Sequence, residues 1–503
     1  MPFFIVLFAG LSASGQKIIY SEPERDDSRR MDFEIVGKIG GNFLIYKNNK
    51  GDHSIVALDN EMKQLSKQEQ DYMPSNDRLI NVEFFPYADF AYMIYQYQRK
   101  NVVYCMASRI DAGGKRSGDL VELDTSHIGF AADNKIYSVI TSEDKSKLAV
   151  FKINTRNKKL YALTTILMND KLELQKKSQM YIAMEERNDY LGEFSLDNEG
   201  DIVFSKFTRN NNDNINQAFM LVKKAQADTL ESRQLNIEKT MLDEIQIKVD
   251  NFNRRYFLTS FFYKEKRGNI DGLYFYVWDK AGMMPVMEDT AIFSDELRAD
   301  ARGDATMKGA FNDFFIRHIV TRRDGGFIIS SESYYTTSRY NSWNRWDYLY
   351  GWPYSRSLNS IYYSPFVSRY YWLNSFSRPG SQAVRYHADN ITVLSFDNKG
   401  QLEWSNVIGK SQYDDESDDD ISFQLMNTGG HLHFLFNQLE RRNNLLTDYS
   451  IAPDGQLTRN PTLKNLDKGY EFLPKYGKQV SAKQMIVPCL YRNYICFAKI
   501  DFN

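Results

Sequence analysis

The chain has 503 residues, and its 63 Lys and Arg nearly balance 65 Asp and Glu, for a net charge of −2. That balance, with a pI near 6.4, excludes the basic footprint of a nucleic-acid-binding protein. Tyr and Phe each number 33 against 12 Pro, which favours strands over helices, and three Cys are too few for a disulfide scaffold at this length.

Met1 to Gly15 reads as a signal peptide. Phe3 to Leu11 is an apolar run, and Ala13 and Gly15 are the small residues expected before a cleavage at Gln16. No Cys follows the run, so no lipid anchor is expected. No later stretch reaches the roughly 18 apolar residues of a membrane span. The protein is therefore expected to be exported.

From residue 16 to residue 503 one unit recurs. An apolar strand, often after a Gly, leads through a polar turn to a second strand ending in Asp-x-x-Gly or a close variant, and a further strand follows. Copies begin at Phe43, Phe90, Lys135, Leu196, Tyr256, Gly326, His431 and Met485. In the clearest, Thr392, Leu394 and Phe396 alternate with Val393 and Ser395, and Asp397-Asn-Lys-Gly400 makes a tight turn. Units of about 40 to 60 residues with four short strands mark β-propeller blades, which must stack because none buries both faces alone. The expected fold is all-β: a single propeller domain of seven or eight four-stranded blades with one long aromatic insertion loop. The last copy stops short, so Lys17-Ile-Ile-Tyr20 is expected to supply its outer strand.

Helix is scarce. Phe293 to Arg302 is the best candidate, with Ser294 as cap and Asp295 and Glu296 in its first turn. Glu238 to Ile245 is a weaker one.

The sixth copy is interrupted. The insertion, taken as 334–387, has its aromatic core at Tyr334 to Gly380, with ten Tyr, four Trp and five Arg but no Lys or Glu. Connections this long are usually functional or disordered, and disordered ones are poor in aromatics. Tyr, Trp and Arg dominate interface hot spots. The candidate partner-binding residues are Tyr340, Trp343, Arg345, Trp346, Tyr350, Trp352, Tyr354, Tyr362, Tyr363, Arg369, Tyr370, Tyr371 and Trp372. A net charge of about +4 favours an acidic or polar partner surface. The same residues suit a lid folded over one face, stacking on sugar rings, or a membrane headgroup zone.

Six carboxylates crowd the next segment: Asp414, Asp415, Glu416, Asp418, Asp419 and Asp420. They are weak candidates for Ca²⁺, because their spacing matches no calcium loop; a solvated loop is the simpler reading, and no other cofactor is expected. His431 and His433 share a strand face without a third metal ligand. Cys489 and Cys496 flank a hairpin turning at Arg492-Asn493 and face each other across it, either as two core thiols or as a disulfide.

Several segments resemble uncharacterised secreted propeller-like proteins of Bacteroidota. They are Tyr95-Gln-Tyr-Gln98 with Val102-Val-Tyr-Cys-Met106, Ile270-Asp-Gly-Leu-Tyr274 with Val277-Trp-Asp279, Phe311-Asn-Asp-Phe-Phe-Ile-Arg317, Asp324-Gly-Gly-Phe-Ile-Ile329 with Glu332-Ser-Tyr-Tyr335, and Leu394 to Trp404. The resemblance runs over most of the chain after residue 15. It implies an exported protein of a two-membrane bacterium, in the periplasm or at the cell surface near the outer membrane. It assigns no activity.

No nucleophile elbow, phosphate-cradling loop or zinc-binding helix is present. Carboxylates such as Asp197, Asp397 and Asp454 sit where they make turns. The sequence therefore points to a non-catalytic binding or scaffolding subunit of a cell-envelope complex, docked through the aromatic loop onto a protein partner, expected at the outer membrane. A carbohydrate-binding protein of a glycan-uptake system is the alternative. An enzyme on the central face would need carboxylates or histidines gathered around the channel.

Overall fold

The computed structural model describes residues 16–25, 31–129, 132, 135–157, 159–184, 188–209, 214–237, 240–266, 268–303, 306–338, 345, 362–363, 384–415, 418–440, 443–461, 463 and 469–502. The signal-peptide expectation for residues 1–15 falls outside them.

Strands dominate, and they fold as successive antiparallel meanders of four. The first comprises Asp32–Ile39, Asn42–Asn49, Asp52–Leu58 and Gln64–Glu69, and the second Leu79–Pro86, Phe90–Arg99, Val102–Asp111 and Val121–His127. Tyr137–Thr141, Lys147–Asn157, Leu160–Asn169 and Leu174–Ala183 make the third. Asp189–Leu196, Ile202–Arg209, Ile215–Lys223 and Leu230–Gln234 follow, then Gln246–Asp250, Arg255–Tyr263, Gly272–Asp279 and Met284–Ile292. The short strand Met241–Leu242 joins these two into one nine-stranded sheet. Phe314–Thr321, Phe327–Ser338, Val384–Phe396 and Leu402–Asp414 come next, then Phe423–Asn427, Leu432–Glu440, Asn443–Ile451 and Leu457–Arg459. In the last sheet Lys478–Ser481, Gln484–Tyr491 and Tyr494–Asp501 are completed by the N-terminal strand Lys17–Tyr20, and Tyr470–Phe472 also pairs with Gln484–Tyr491. The all-β, propeller-like reading and the closing N-terminal strand are thus borne out.

Hydrophobic alternation explains the stacking. The middle strands of a meander carry apolar residues on both faces, as in Asn42–Asn49 and Arg255–Tyr263, while fourth strands such as Gln64–Glu69 face solvent. Each sheet shares a core with the next. Tyr46 and Ile55 of the first sheet pack with Phe84 and Met93 of the second. Phe257 and Phe275 pack with Phe327 and Phe396 of the following sheet. Ile45 and Val56 of the first sheet also share a core with Ile486 and Phe497 of the last. Each such side chain contributes about 1.5–3 kcal/mol by leaving water.

The Asp-x-x-Gly turns are joints between sheets. Asp197 Oδ1 accepts the amides of Glu199 (2.9 Å) and Asp201 (2.8 Å), and Asp397 Oδ1 those of Lys399 and Gln401, both at 2.8 Å. The glycine that ends each turn lies against the preceding sheet: Gly114 on Ile55, Gly200 on Leu167, Gly400 on Phe275 and Gly455 on Trp404. At Gly400, with φ of +80°, a Cβ would lie 2.6 Å from the Phe275 ring, so both the backbone and the neighbouring sheet demand glycine.

The helix Asp295–Ala301 forms as expected, with the Ser294 hydroxyl accepting from the Leu297 amide. The helix expected at Glu238 to Ile245 does not form. Its described residues include the bridging strand Met241–Leu242, because tertiary pairing outweighs a weak helical preference. The strands flanking the aromatic insertion are longer than expected: Tyr334↔Ala388 through Ser338↔Val384 are paired, so the connection proper spans 339–383.

Candidate functional site

The first strands of neighbouring sheets lie side by side. Asp189–Leu196 runs against Gln246–Asp250, which in turn runs against Phe314–Thr321. Chemistry-bearing side chains gather there. Glu193 sits on a β-bulge between Gly192 and Ser195 with φ of +52°, a left-handed conformation that a glutamate rarely adopts. The bulge re-aims its carboxylate, which accepts a hydrogen bond from the Ile247 amide of the next strand. Burial, and then the charge of Glu244, push Glu193 up to about 8. Burial, and then Asp243, push Glu244 up to about 7. Both residues are half-buried.

Cations lie beside Glu244. The positive charges of Arg345 and Arg317 lower Glu244 against that rise. Burial, and then Arg317, drive His318 down to about 4, so its imidazole is neutral at neutral pH, and Lys248 adds to the effect. The His318 ring stands edge-on to Phe423 of the next sheet, 5.6 Å between centroids. Arg317 Nε donates to Glu332 at 3.2 Å. Glu332 is fully buried and also meets Lys410 Nζ at 2.9 Å and the Ser422 hydroxyl at 2.6 Å. Burial works to raise Glu332, but Lys410 and Arg317 outweigh it and hold the carboxyl below its usual range. Two carboxyls poised to titrate near neutrality, beside a charge network that is already satisfied, can take and return a proton.

Of the residues expected to bind a partner, Arg345 is the one whose side chain is described. It points inward and is only 8% exposed. Nε lies 3.0 Å from each Asp243 carboxylate oxygen, Nη1 donates to the Asn312 carbonyl at 3.0 Å, and the guanidinium lies 3.8 Å from the Phe315 ring centre. Tyr362 and Tyr363 pair through their backbone with Asn154 and Ile153 of the third sheet. The connection thus leaves one sheet and is held by two others. Tyr340, Trp343, Trp346, Tyr350, Trp352, Tyr354, Arg369, Tyr370, Tyr371 and Trp372 lie outside the described residues.

The acidic run is shared among separate cations. Arg385 Nε donates to Asp415 at 2.6 Å, and Lys475 Nζ meets Asp418 at 2.5 Å. Tyr476 donates to Asp419, Asp414 closes its strand, and the Asp420 carbonyl accepts from Asn437 at 3.0 Å. Glu416 lies outside the described residues. Among the described residues no three or more His, Cys, Asp or Glu are grouped to hold an ion. His433 instead contacts Asp448 at 3.0 Å, and His431 is exposed. Cys489 and Cys496 do face each other across the hairpin.

No family model matches this chain, and no curated protein matches it. Among solved structures, similarity extends to a prolyl endopeptidase (10% identity, TM-score 0.39, 93% of this chain and 54% of that one). Prolyl oligopeptidase B from Galerina marginata matches at 9% identity and TM-score 0.41, over 93% of this chain and 56% of its own. A Synechocystis apocarotenoid oxygenase matches at 9% identity and TM-score 0.34, over 97% and 94%. The chain spans little more than half the length of these prolyl peptidases. Likenesses this remote transfer no activity.

The expectation of a non-catalytic envelope scaffold, or of a glycan-binding protein, docked through the aromatic loop is nevertheless overturned. Arg345, chosen as an outward contact, is committed to Asp243, and the loop's Tyr362 and Tyr363 pair with the chain's own third sheet. Sequence reasoning passed over Glu193 and Glu244. The available signal was a glutamate after a glycine inside an otherwise apolar strand, Tyr190-Leu-Gly-Glu-Phe194.

Proposed function

We propose that the four-stranded sheets form eight blades of a closed ring, and that the protein is an acid–base enzyme whose reaction centre lies where the first strands meet. The chain of shared cores, returning from the last sheet to the first, supports the ring. One observation carries the functional reading. Glu193 stands on the first strand Asp189–Leu196 and Glu244 just ahead of the adjoining first strand Gln246–Asp250, each raised by burial into the range where a carboxyl holds and releases a proton at neutral pH. Glu193, the more basic, is the general acid, and Glu244 the partner that is ionised first. Neutral His318 and the cations Lys248 and Arg317 line the same ground, which suits a polar substrate that develops negative charge as it reacts.

The test is direct. Carbon-13 NMR of glutamate-labelled protein should show two carboxyl titrations near 8 and 7, one lost in each of E193Q and E244Q. Turnover, sought with a panel of chromogenic ester, phosphate and glycoside substrates, should fall about 100-fold or more in either variant. Titration of both groups near the ordinary glutamate value, or full activity of both variants, sinks the reading.

A further inference from the structure

We propose that Cys489 and Cys496 are a modification site, joined as a disulfide while the chain folds by a disulfide-bearing oxidant such as a dithiol oxidase or glutathione disulfide. The two residues are directly opposed in the hairpin of Gln484–Tyr491 and Tyr494–Asp501. A two-residue turn at Arg492 and Asn493, with Arg492 at φ of +59°, sets that register. Opposed residues of this kind have Cα atoms about 5.5 Å apart, inside the span a disulfide bridges. The sulfurs are already in contact at 3.0 Å, so no backbone movement is needed to bring them together.

Timing follows from burial. Both residues are at most 1% exposed and sit in the core shared with the preceding sheet. The N-terminal strand covers the same sheet, and its Tyr20 stacks on Tyr470 with 4.2 Å between centroids, close to both sulfurs. Burial, and then the neighbouring Cys496, hold the Cys489 thiol well above its usual range, so it is a poor nucleophile once the fold is complete. The hairpin, by contrast, is local and forms before the distant N-terminal strand arrives. In the open hairpin one Cys thiolate attacks a sulfur of the oxidant, forming a mixed disulfide and releasing the oxidant's other sulfur as a thiolate. The second Cys thiolate then attacks the Cys sulfur of the mixed disulfide and displaces the oxidant's remaining sulfur. The two released thiolates take up the two protons the cysteines gave up, and carry the two electrons away as the oxidant's pair of thiols. Cys105 is buried in the second sheet and stays reduced.

Trypsin tests the pairing because Arg492 lies between the two sulfurs. The full chain, refolded in a glutathione redox buffer and then denatured, should retain one reactive thiol of its three Cys. Its non-reduced digest should contain 484–492 linked to 493–499, lighter by two hydrogens than the separate peptides. C105S should retain no reactive thiol, and C489S should retain two. Three reactive thiols in the refolded wild-type chain, with the two peptides unlinked, overturn the proposal even if C489S fails to fold.

Discussion

Lys280 is the centre of a buried cluster of opposite charge. It is 8% exposed, and its ammonium meets Glu199 at 2.7 Å and Asp201 at 3.0 Å as well as Asp197, which also accepts from the Tyr256 hydroxyl. Burial works to lower Lys280, but the hydrogen bonds it donates to Asp197 and Glu199 outweigh it and raise it. Lys280 in turn helps hold Glu199 and Asp201 below their usual range. The raised amine stabilises the fold until pH climbs through its folded value, above about 10.5, and the depressed carboxyls until pH falls below about 4. K280M strands buried carboxylates and should cost about 3–5 kcal/mol in urea unfolding at pH 7. Glu193 and Glu244 act in the opposite sense. Their folded values exceed the unfolded one of 4.5, so their contribution is whole below pH 4.5 and is lost as pH rises to about 8. E193Q should flatten that decline and be more stable than the wild type at pH 8 when melting is followed from pH 5 to 9. Arg345 lowers Glu244, so R345A should move the Glu244 titration above 7. Lysine at 345 should restore this only in part, because it lacks the two-pronged grip on Asp243.

At the scale of elements, the turns were the most legible part of the chain and the sites the least. Asp397-Asn-Lys-Gly400 reads as a turn because an aspartate that accepts local amides and a glycine with positive φ announce themselves in four letters. Gly400 against Phe275 does not, because the contact joins residues 125 positions apart. G400A should therefore cost about 1–3 kcal/mol, more than turn strain alone would suggest, and F275A in the same chain should relieve part of it. The aromatic connection illustrates the converse error. Its composition is that of an interface, which predicts a loop facing outward. Arg345 shows that a buried acid on the chain itself, Asp243 at 1% side-chain exposure, answers one of those charges. Composition records which groups want a partner and does not record whether the partner is a residue of the same fold. Glu193 was hidden for a related reason. Its role comes from a bulge and from the strand beside it, neither of which leaves a periodic mark.

For the whole molecule, the pairing of Lys17–Tyr20 with Tyr494–Asp501 matters beyond its four residues. Without that strand, Tyr494–Asp501 becomes an open edge, and Tyr470 loses its stacked ring. A chain lacking residues 16–21 should melt several degrees lower and aggregate on heating, as light scattering during a thermal ramp would record. The same pairing sets Lys17 and Asp501 opposite one another on one sheet. What such an assembly needs is that each sheet meet its neighbours, and nothing in that requirement depends on where the polypeptide starts. A gene in which a short flexible linker joins Asn503 to Gln16, with new ends opened in the turn at Asn49 to Asp52, should encode the same protein read from another starting point.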